Sequence, residues 1–413
     1  MTTDNDVLAD FRALSEIGAT EAGGVERQAA TVNDRLAREW LVDWLRARGF
    51  TTRVDRIGNL FGCYEWHPGA PYVLVGSHLD SQPRGGRYDG AYGVLAAAHA
   101  ACRVHERFAE SGDRPAFNVA VVDWFNEEGS RFKPSMMGSA VYTGKMPLHQ
   151  ALAVTDHAGV TVEDALTEIG FLGAEDGPRA AFAAEIHIEQ GRILDKEGIQ
   201  IGLVESTWAA HKYQISVVGE QSHTGSTVMA DRQDALLGAA RIIVAVRELA
   251  DRFPEGALHT SAGQLIVHPN SPVVVAREAE LHLDLRSSSL DVLHEADEML
   301  NREFAAIEMS TDVRIVKKSA HFWPASEYQP EGVDLARELS GELGLSHRPM
   351  QTLAGHDSTN LKDVVPTVML FVPSVEGISH NEREYTKDED ICTGVDLLTG
   401  VVERLCRGDL RQP

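Results

Sequence analysis

Hydrophobic positions in the first half of the chain keep two alternating rhythms. Segments 9–19 (ADFRALSEIGA), 34–50 (DRLAREWLVDWLRARGF) and 91–109 (AYGVLAAAHAACRVHERFA) repeat apolar residues every three to four positions, predicting helices. Between them, 71–77 (PYVLVGS) and 117–125 (FNVAVVDWF) are short unbroken apolar runs, as expected of strands buried on both faces. Segment 180–191 (AAFAAEIHIEQG) reads as an alternating strand. Apolar strands separated by helices predict an α/β layer with helices on both sides of the sheet.

Near residue 210 the pattern changes. Strand 211–220 (HKYQISVVGE), a long amphipathic helix over 230–253, strands 263–269 and 279–287, a helix over 290–307 and strand 312–318 follow in that order. The succession β-α-β-β-α-β predicts a compact ferredoxin-like (split-βαβ) unit. After about 325 the α/β style returns with helix 332–344, strand 365–373 and a closing helix from about 388. The expected organisation is an α/β catalytic domain formed by 1–210 and 325–413, with a smaller domain, 211–324, inserted between its halves.

Length and composition narrow the class. At 413 residues the chain is too long for one ordinary core, and its apolar and charged fractions are those of globular proteins. A formal charge of −24 argues against a nucleic-acid partner, which wants a basic face. Cys63, Cys102, Cys392 and Cys406 are scattered without CxxC spacing, so neither a disulfide framework nor a zinc–cysteine site is expected. The acidic N-terminus lacks the charged and apolar regions of a signal peptide, and no apolar run approaches the ~18 residues that span a bilayer. A cytoplasmic protein acting on a small molecule, with no membrane partner, is the expectation.

Candidate chemistry gathers where predicted strands end, the place where open α/β sheets bind ligands. In 76–93 (GSHLDSQPRGGRYDGAYG), His78 and Asp80 share one face of an extended segment, and Asp89 precedes a helix. The next strand ends in Glu127-Glu128, the third carries His187 with Glu185 and Glu189 in alternation, and a late segment supplies His380. Singly, a strand-end histidine is more often a hydrogen-bonded structural residue, and paired glutamates are usually a solvated loop. Together, histidines and carboxylates suit zinc, cobalt, nickel or manganese, and five such groups suit two ions sharing a carboxylate. A metal site of that kind also needs a base that is not a ligand.

The ordered set GSHLDSQPRGGRYDG, FNEEGSRF with MMGS, HIEQG, SHTGST, HDS and SHNEREYT resembles the hydantoinase/carbamoylase branch of the dinuclear-metal peptidase and amidohydrolase superfamily. That branch includes N-carbamoyl-L-amino acid hydrolases, β-ureidopropionases and allantoate amidohydrolases. The resemblance covers essentially the whole chain. It implies that His78 and His187 bind one ion, Glu128 and His380 the other, with Asp89 bridging. Glu127 would be the general base, and the Asp80 carboxylate would orient His78. Gln190 would meet a carbamoyl or ureido group, and Arg286 would hold a substrate carboxylate. His356 would sit in a loop facing the site, and His223 would reach the partner subunit's site in a homodimer. The implied fold adds lid and dimerisation roles to the inserted domain. One departure stands out: relatives commonly carry an Asn before Val-Ile-Pro in the lid strand, where this chain has Val273, with Asn270 nearby.

The expected function is therefore metal-dependent hydrolysis of a linear, non-peptide C–N bond in a small N-carbamoyl or ureido acid. Two divalent ions per subunit, zinc or manganese with cobalt or nickel as alternatives, and Glu127 as base would carry it. The competing expectations are an N-acyl amino acid deacylase or peptidase of the same superfamily, and a non-catalytic metal-binding protein.

Overall fold

The structure, a computed structural model, describes residues 2–410. The chain divides into two compact units, Met1–Glu205 with Tyr328–Pro413, and Ser206–Glu327. Strands are numbered in chain order: β1 (Thr51–Val54), β2 (Leu60–Tyr64), β3 (Tyr72–Ser77), β4 (Asn118–Asp123), β5 (Ala180–Ile188) and β6 (Ile201–Thr207). The second unit carries β7 (Ala209–Val218), β8 (Ser222–His223), β9 (His259–His268), β10 (Val274–Val275), β11 (Glu278–Ser287) and β12 (Arg314–Trp323). β13 (His347–Thr352) and β14 (Thr367–Val372) return to the first.

In the first unit eight strands form one sheet in the order β1-β2-β4-β3-β5-β14-β6-β13. Its centre, β4-β3-β5-β14, is parallel. β3, β4 and β14 are buried at every position, as their unbroken apolar runs predict. β5 departs from its expected alternation: Ala181 through Ile188 are all buried, because this strand has neighbours on both sides and packing on both faces. Chain order runs from β3 outward to β4 and then back across to β5 on the other side of β3. That reversal makes a switch point, where the C-terminal strand ends leave a crevice.

Two long helices, Ala91–Ser111 and Asp388–Arg407, pack against each other and the sheet. The first presents Ala96, Ala97, Ala98, Ala100 and Ala101, all buried, so its backbone approaches the sheet closely. Beneath the strand ends lies a buried ionic network. Arg38 bonds Asp34 Oδ1 at 3.1 Å and the Gly58 carbonyl at 2.7 Å, and lies 3.3 Å from Asp123 Oδ2. Asp123 Oδ1 in turn accepts from the Leu79 amide at 2.8 Å, fixing the chain between His78 and Asp80.

The second unit is a four-stranded antiparallel sheet in the order β12-β7-β11-β9, with helices Ala235–Ala250 and Leu290–Thr311 packed against it. Asp234 caps the first helix through the amides of Leu236 and Leu237, and Ser289 caps the second through Val292. β11 alternates strictly, with Ala279, Leu281, Leu283 and Leu285 buried under the helices and the residues between them part-exposed. β8 and β10 form a separate two-stranded ribbon. All four cysteines are free. Among the described residues, no helix is long and apolar enough to cross a membrane.

Candidate metal centre

Four parallel strand ends deliver the candidate groups. His78 and Asp80 follow β3, Glu127 and Glu128 follow β4 in a turn, His187 lies at the end of β5, and His380 follows β14. Asp89 comes from the loop before helix Ala91–Ser111. Two sets of side chains offer ligand atoms within 4.8 Å of one another: His78, Asp89 and His187, and Asp89, Glu128 and His380. Asp89 is common to both. Its Oδ1 lies 3.1 Å from His187 Nε2 and 3.6 Å from His78 Nε2, and its Oδ2 lies 3.2 Å from His380 Nε2. His380 Nε2 is also 3.4 Å from Glu128 Oε2.

The donor set fits metal ions. His78 Nδ1 donates to the Asp80 carbonyl and His187 Nδ1 to the Ile188 carbonyl, each at 2.9 Å. With Nδ1 engaged by a main-chain carbonyl, each Nε2 is the ring atom that faces Asp89, as in metal-binding imidazoles, and that of His187 also accepts from the Gly90 amide at 3.0 Å. Carboxylates outnumber histidines around them, and cations would offset that excess. Gly90 is needed by close approach: a Cβ there would lie 2.3 Å from the His78 ring.

The two glutamates diverge although both amides bond one residue. Asp80 Oδ1 accepts from Glu127 N at 3.1 Å, and Oδ2 from Glu128 N at 3.3 Å. The Asp80 carboxylate thus holds the turn, while the Asp80 main chain makes the hydrogen bond to His78; its carboxylate oxygen is 3.7 Å from Nδ1. Glu128 is gripped by Gln82, whose amide and side chain donate to its carboxylate at 3.1 and 2.9 Å. Glu127 stands outside both ligand sets, buried, with Oε2 3.5 Å from His78 Nε2.

Electrostatics follow from this crowding. Burial, with Asp357, Glu128 and Asp80 nearby, pushes the Glu127 carboxyl well above its ordinary value, and His78 only partly offsets this. Asp89 goes the other way: despite burial, hydrogen bonds from His187, His380 and His78 hold it well below the usual carboxylate range. Burial opposes protonation of His380, but Asp89 and Glu128 push it up to about 9.

The remaining predicted residues fall into separate places. Gln190, at φ +56°, donates from Nε2 to Asp89 Oδ2 at 2.8 Å, and its buried Oε1 makes no hydrogen bond. His356 is buried, its ring 4.6 Å from that of His187. Glu185 accepts from Ser77 Oγ and the Ser358 amide, whereas Glu189 caps helix Ile193–Glu197 through two amides at 2.8 Å and takes no part in the site. In the second unit, His223 accepts from the amides of Gly225 and Ser226 at Nδ1, both at 3.0 Å, which leaves Nε2 as an exposed donor. Arg286 is held by Asp284 two positions earlier, at 2.7 Å. Val273 is 60 % exposed beside the His223 strand, and its carbonyl accepts from Thr224 N.

Sequence reasoning missed Gln82, Glu384 and the Asp357–Ser139 hydrogen bond. Gln82 lies two positions after Asp80, and Glu384 lies inside SHNEREYT, so proximity to named residues was the available signal.

An α/β unit with paired His/carboxylate sets compatible with metal binding at its switch point, interrupted by a ferredoxin-like insertion, is the architecture of a peptidase-like hydrolase family. The profile of "Peptidase family M20/M25/M40" matches residues 74–404, and the chain belongs to this family, in its hydantoinase/carbamoylase branch of amidohydrolases. A Mycolicibacterium smegmatis protein named only as a hydrolase is 60 % identical over 98 % of this chain and 94 % of its own length. The N-carbamoyl-L-amino-acid amidohydrolase of Rhizobium meliloti is 35 % identical, covering 93 % of this chain and 92 % of its own. A solved hydantoinase/carbamoylase family amidase from Burkholderia vietnamiensis superposes with a TM-score of 0.92 at 35 % identity, covering 98 % of both chains.

Proposed function

We propose that this enzyme hydrolyses the carbamoyl or ureido C–N bond of a small linear acid, yielding an amine, carbon dioxide and ammonia. The observation that carries the reading is the division between the neighbouring glutamates. Glu128 joins Asp89 and His380, while Glu127 stays outside both ligand sets with a raised pKa. His78, His187 and Asp89 would hold one divalent ion, zinc or manganese, and Asp89, Glu128 and His380 a second. Bound there, such ions make a water more acidic and offset negative charge developing on a carbonyl oxygen.

The chain's own groups supply the rest. Glu127 removes a proton from the water whose oxygen bonds to the carbonyl carbon, and returns it to the nitrogen as the C–N bond breaks. Gln190 presents an unpartnered buried Oε1 suited to a ureido N–H. His223, with its proton on Nε2, is suited to donate to the oxyanion, and Arg286 to pair with the substrate carboxylate. We assign these two to a homodimeric, cytoplasmic enzyme in which His223 serves the partner subunit's site. Val273, an apolar residue, leaves side-chain selection near His223 to shape.

Glu127→Gln tests the reading. Turnover of an N-carbamoyl amino acid should fall ~10²–10⁴-fold while elemental analysis shows unchanged bound metal. Wild-type-like turnover sinks the assignment. Release of an acyl group in place of ammonia, across a panel of carbamoyl, ureido and N-acyl amino acids, would shift the reading to a deacylase.

A further inference from the structure

Glu384 has no assigned role, yet it is buried and spends both carboxylate oxygens on the candidate centre. Its Oε1 accepts from the amides of Tyr88 and Asp89, at 2.9 and 3.0 Å. Its Oε2 accepts from Ser379 Oγ at 2.8 Å, and that hydroxyl lies 3.2 Å from Asp89 Oδ2 and immediately precedes His380. One side chain therefore joins the loop carrying Asp89 to the loop carrying His380. The chain makes room for it at Gly86, where a Cβ would come 2.0 Å from the Glu384 carboxyl.

The arrangement mirrors Asp80. Each carboxylate accepts from two consecutive amides, one pair belonging to Glu127 and Glu128, the other including Asp89. Neither belongs to the two ligand sets.

The two sites do not depend equally on such support. His78, Asp89 and His187 are all buried, and both imidazoles are anchored through Nδ1 to main-chain carbonyls of their own strand ends. By contrast, His380 is exposed, at φ +53°, on a loop outside any strand. Gln82 fixes Glu128, but the His380 loop is tied to Asp89 through the Ser379 hydroxyl, which Glu384 accepts from at 2.8 Å and Gln190 Nε2 donates to at 3.3 Å.

We infer that Glu384 is a positioning residue for the second ion: by clamping the Tyr88–Asp89 amides and Ser379, it sets His380 against Asp89 and makes the Asp89/Glu128/His380 site tight. This rests on the two-ion reading above. The removal of Glu384 should weaken that site more than the other, since both imidazoles of the His78/Asp89/His187 set keep their own main-chain anchors whereas His380 has none of that kind.

The test is titration of metal-stripped, full-length protein with Mn²⁺, followed by calorimetry and elemental analysis after gel filtration. Wild type should bind two ions per chain; fewer would overturn the two-ion reading itself. In Glu384→Ala the first ion should bind as in wild type, and the second ~10–100-fold more weakly. Glu384→Gln should restore most of that loss, because its carbonyl oxygen can accept both amides while its NH₂ donates to Ser379. Two ions bound to Glu384→Ala at wild-type affinity would overturn the proposal, and so would equal loss of both in a protein with unchanged circular dichroism. Should the alanine variant fail to fold, Ser379→Ala, which removes the hydroxyl shared by Glu384, Asp89 and Gln190, must show the same selective weakening, and wild-type binding there overturns the clamp.

Discussion

Strands β14, of the first unit, and β11, of the inserted one, are both rich in apolar residues but differ in their surroundings. On β14 consecutive residues Met369 and Leu370 are both buried, whereas on β11 Leu281 is buried and its neighbour Glu280 is part-exposed. The parallel strand is covered on both faces, the antiparallel one on one face only. A sheet buried on both faces has polar chemistry to offer only at strand ends, and His78, Glu127, His187 and His380 stand there. A one-sided sheet can place polar side chains along its whole open face, and Arg286 and Asp284 alternate along β11 in that way.

The chemistry of the two units should separate first, and most strongly, in pH dependence. As the proposed base, Glu127 would have to be ionised to accept a proton, and burial with neighbouring carboxylates raises its pKa. The acid limb of kcat/KM should therefore lie above the ordinary glutamate range, with the rate falling tenfold per pH unit below it. A profile flat down through that range would remove the first unit's claim to the base.

Stability distinguishes the units next. Arg38→Met leaves Asp34 and Asp123 buried without their cation and should cost ~3–5 kcal/mol by chemical denaturation. Little change would mean that the strand ends are held by packing alone. Met369→Ala and Leu370→Ala, adjacent on β14, should each cost ~2–5 kcal/mol, as should Leu281→Ala on β11. Next to the last of these, Glu280→Ala should stay within ~0.5 kcal/mol. Equal costs at 280 and 281 would erase the contrast.

Substrate binding sharpens it further. Arg286→Lys, which loses the planar fork, should raise KM for a carbamoyl amino acid by roughly tenfold, with bound metal and kcat little changed. A loss of metal in that variant would contradict a purely substrate-binding role for the second unit's open face.

Much of this was legible in the sequence for a definite reason. The unbroken runs VLV and TVMLFV identify strands covered on both faces, and the 211–318 pattern identifies the ferredoxin-like insertion, because side-chain periodicity reports directly which faces meet water. β5 misled: AAFAAEIHIEQG alternates in polarity although nearly every position is buried, since Glu185 and His187 are buried through hydrogen bonds to Ser77, Ser358 and Ile188. Periodicity cannot distinguish a polar residue facing water from one satisfied inside. Glu189 shares that alternating face by spacing but turns away to cap a helix, because the chain leaves the strand at that point.

By itself, then, the sequence determined the elements, their layering and the residue types that converge, since local covalent pattern sets burial and strand order favours a switch point. Only the tertiary structure decided the division of work within the set. Asp80 supports the glutamate turn through its carboxylate and His78 through its carbonyl, Gln82 grips Glu128, and Glu384 joins two loops nearly three hundred positions apart, at Asp89 and His380. Hydrogen bonds depend on directions and distances of a few tenths of an ångström, which spacing along a chain does not encode.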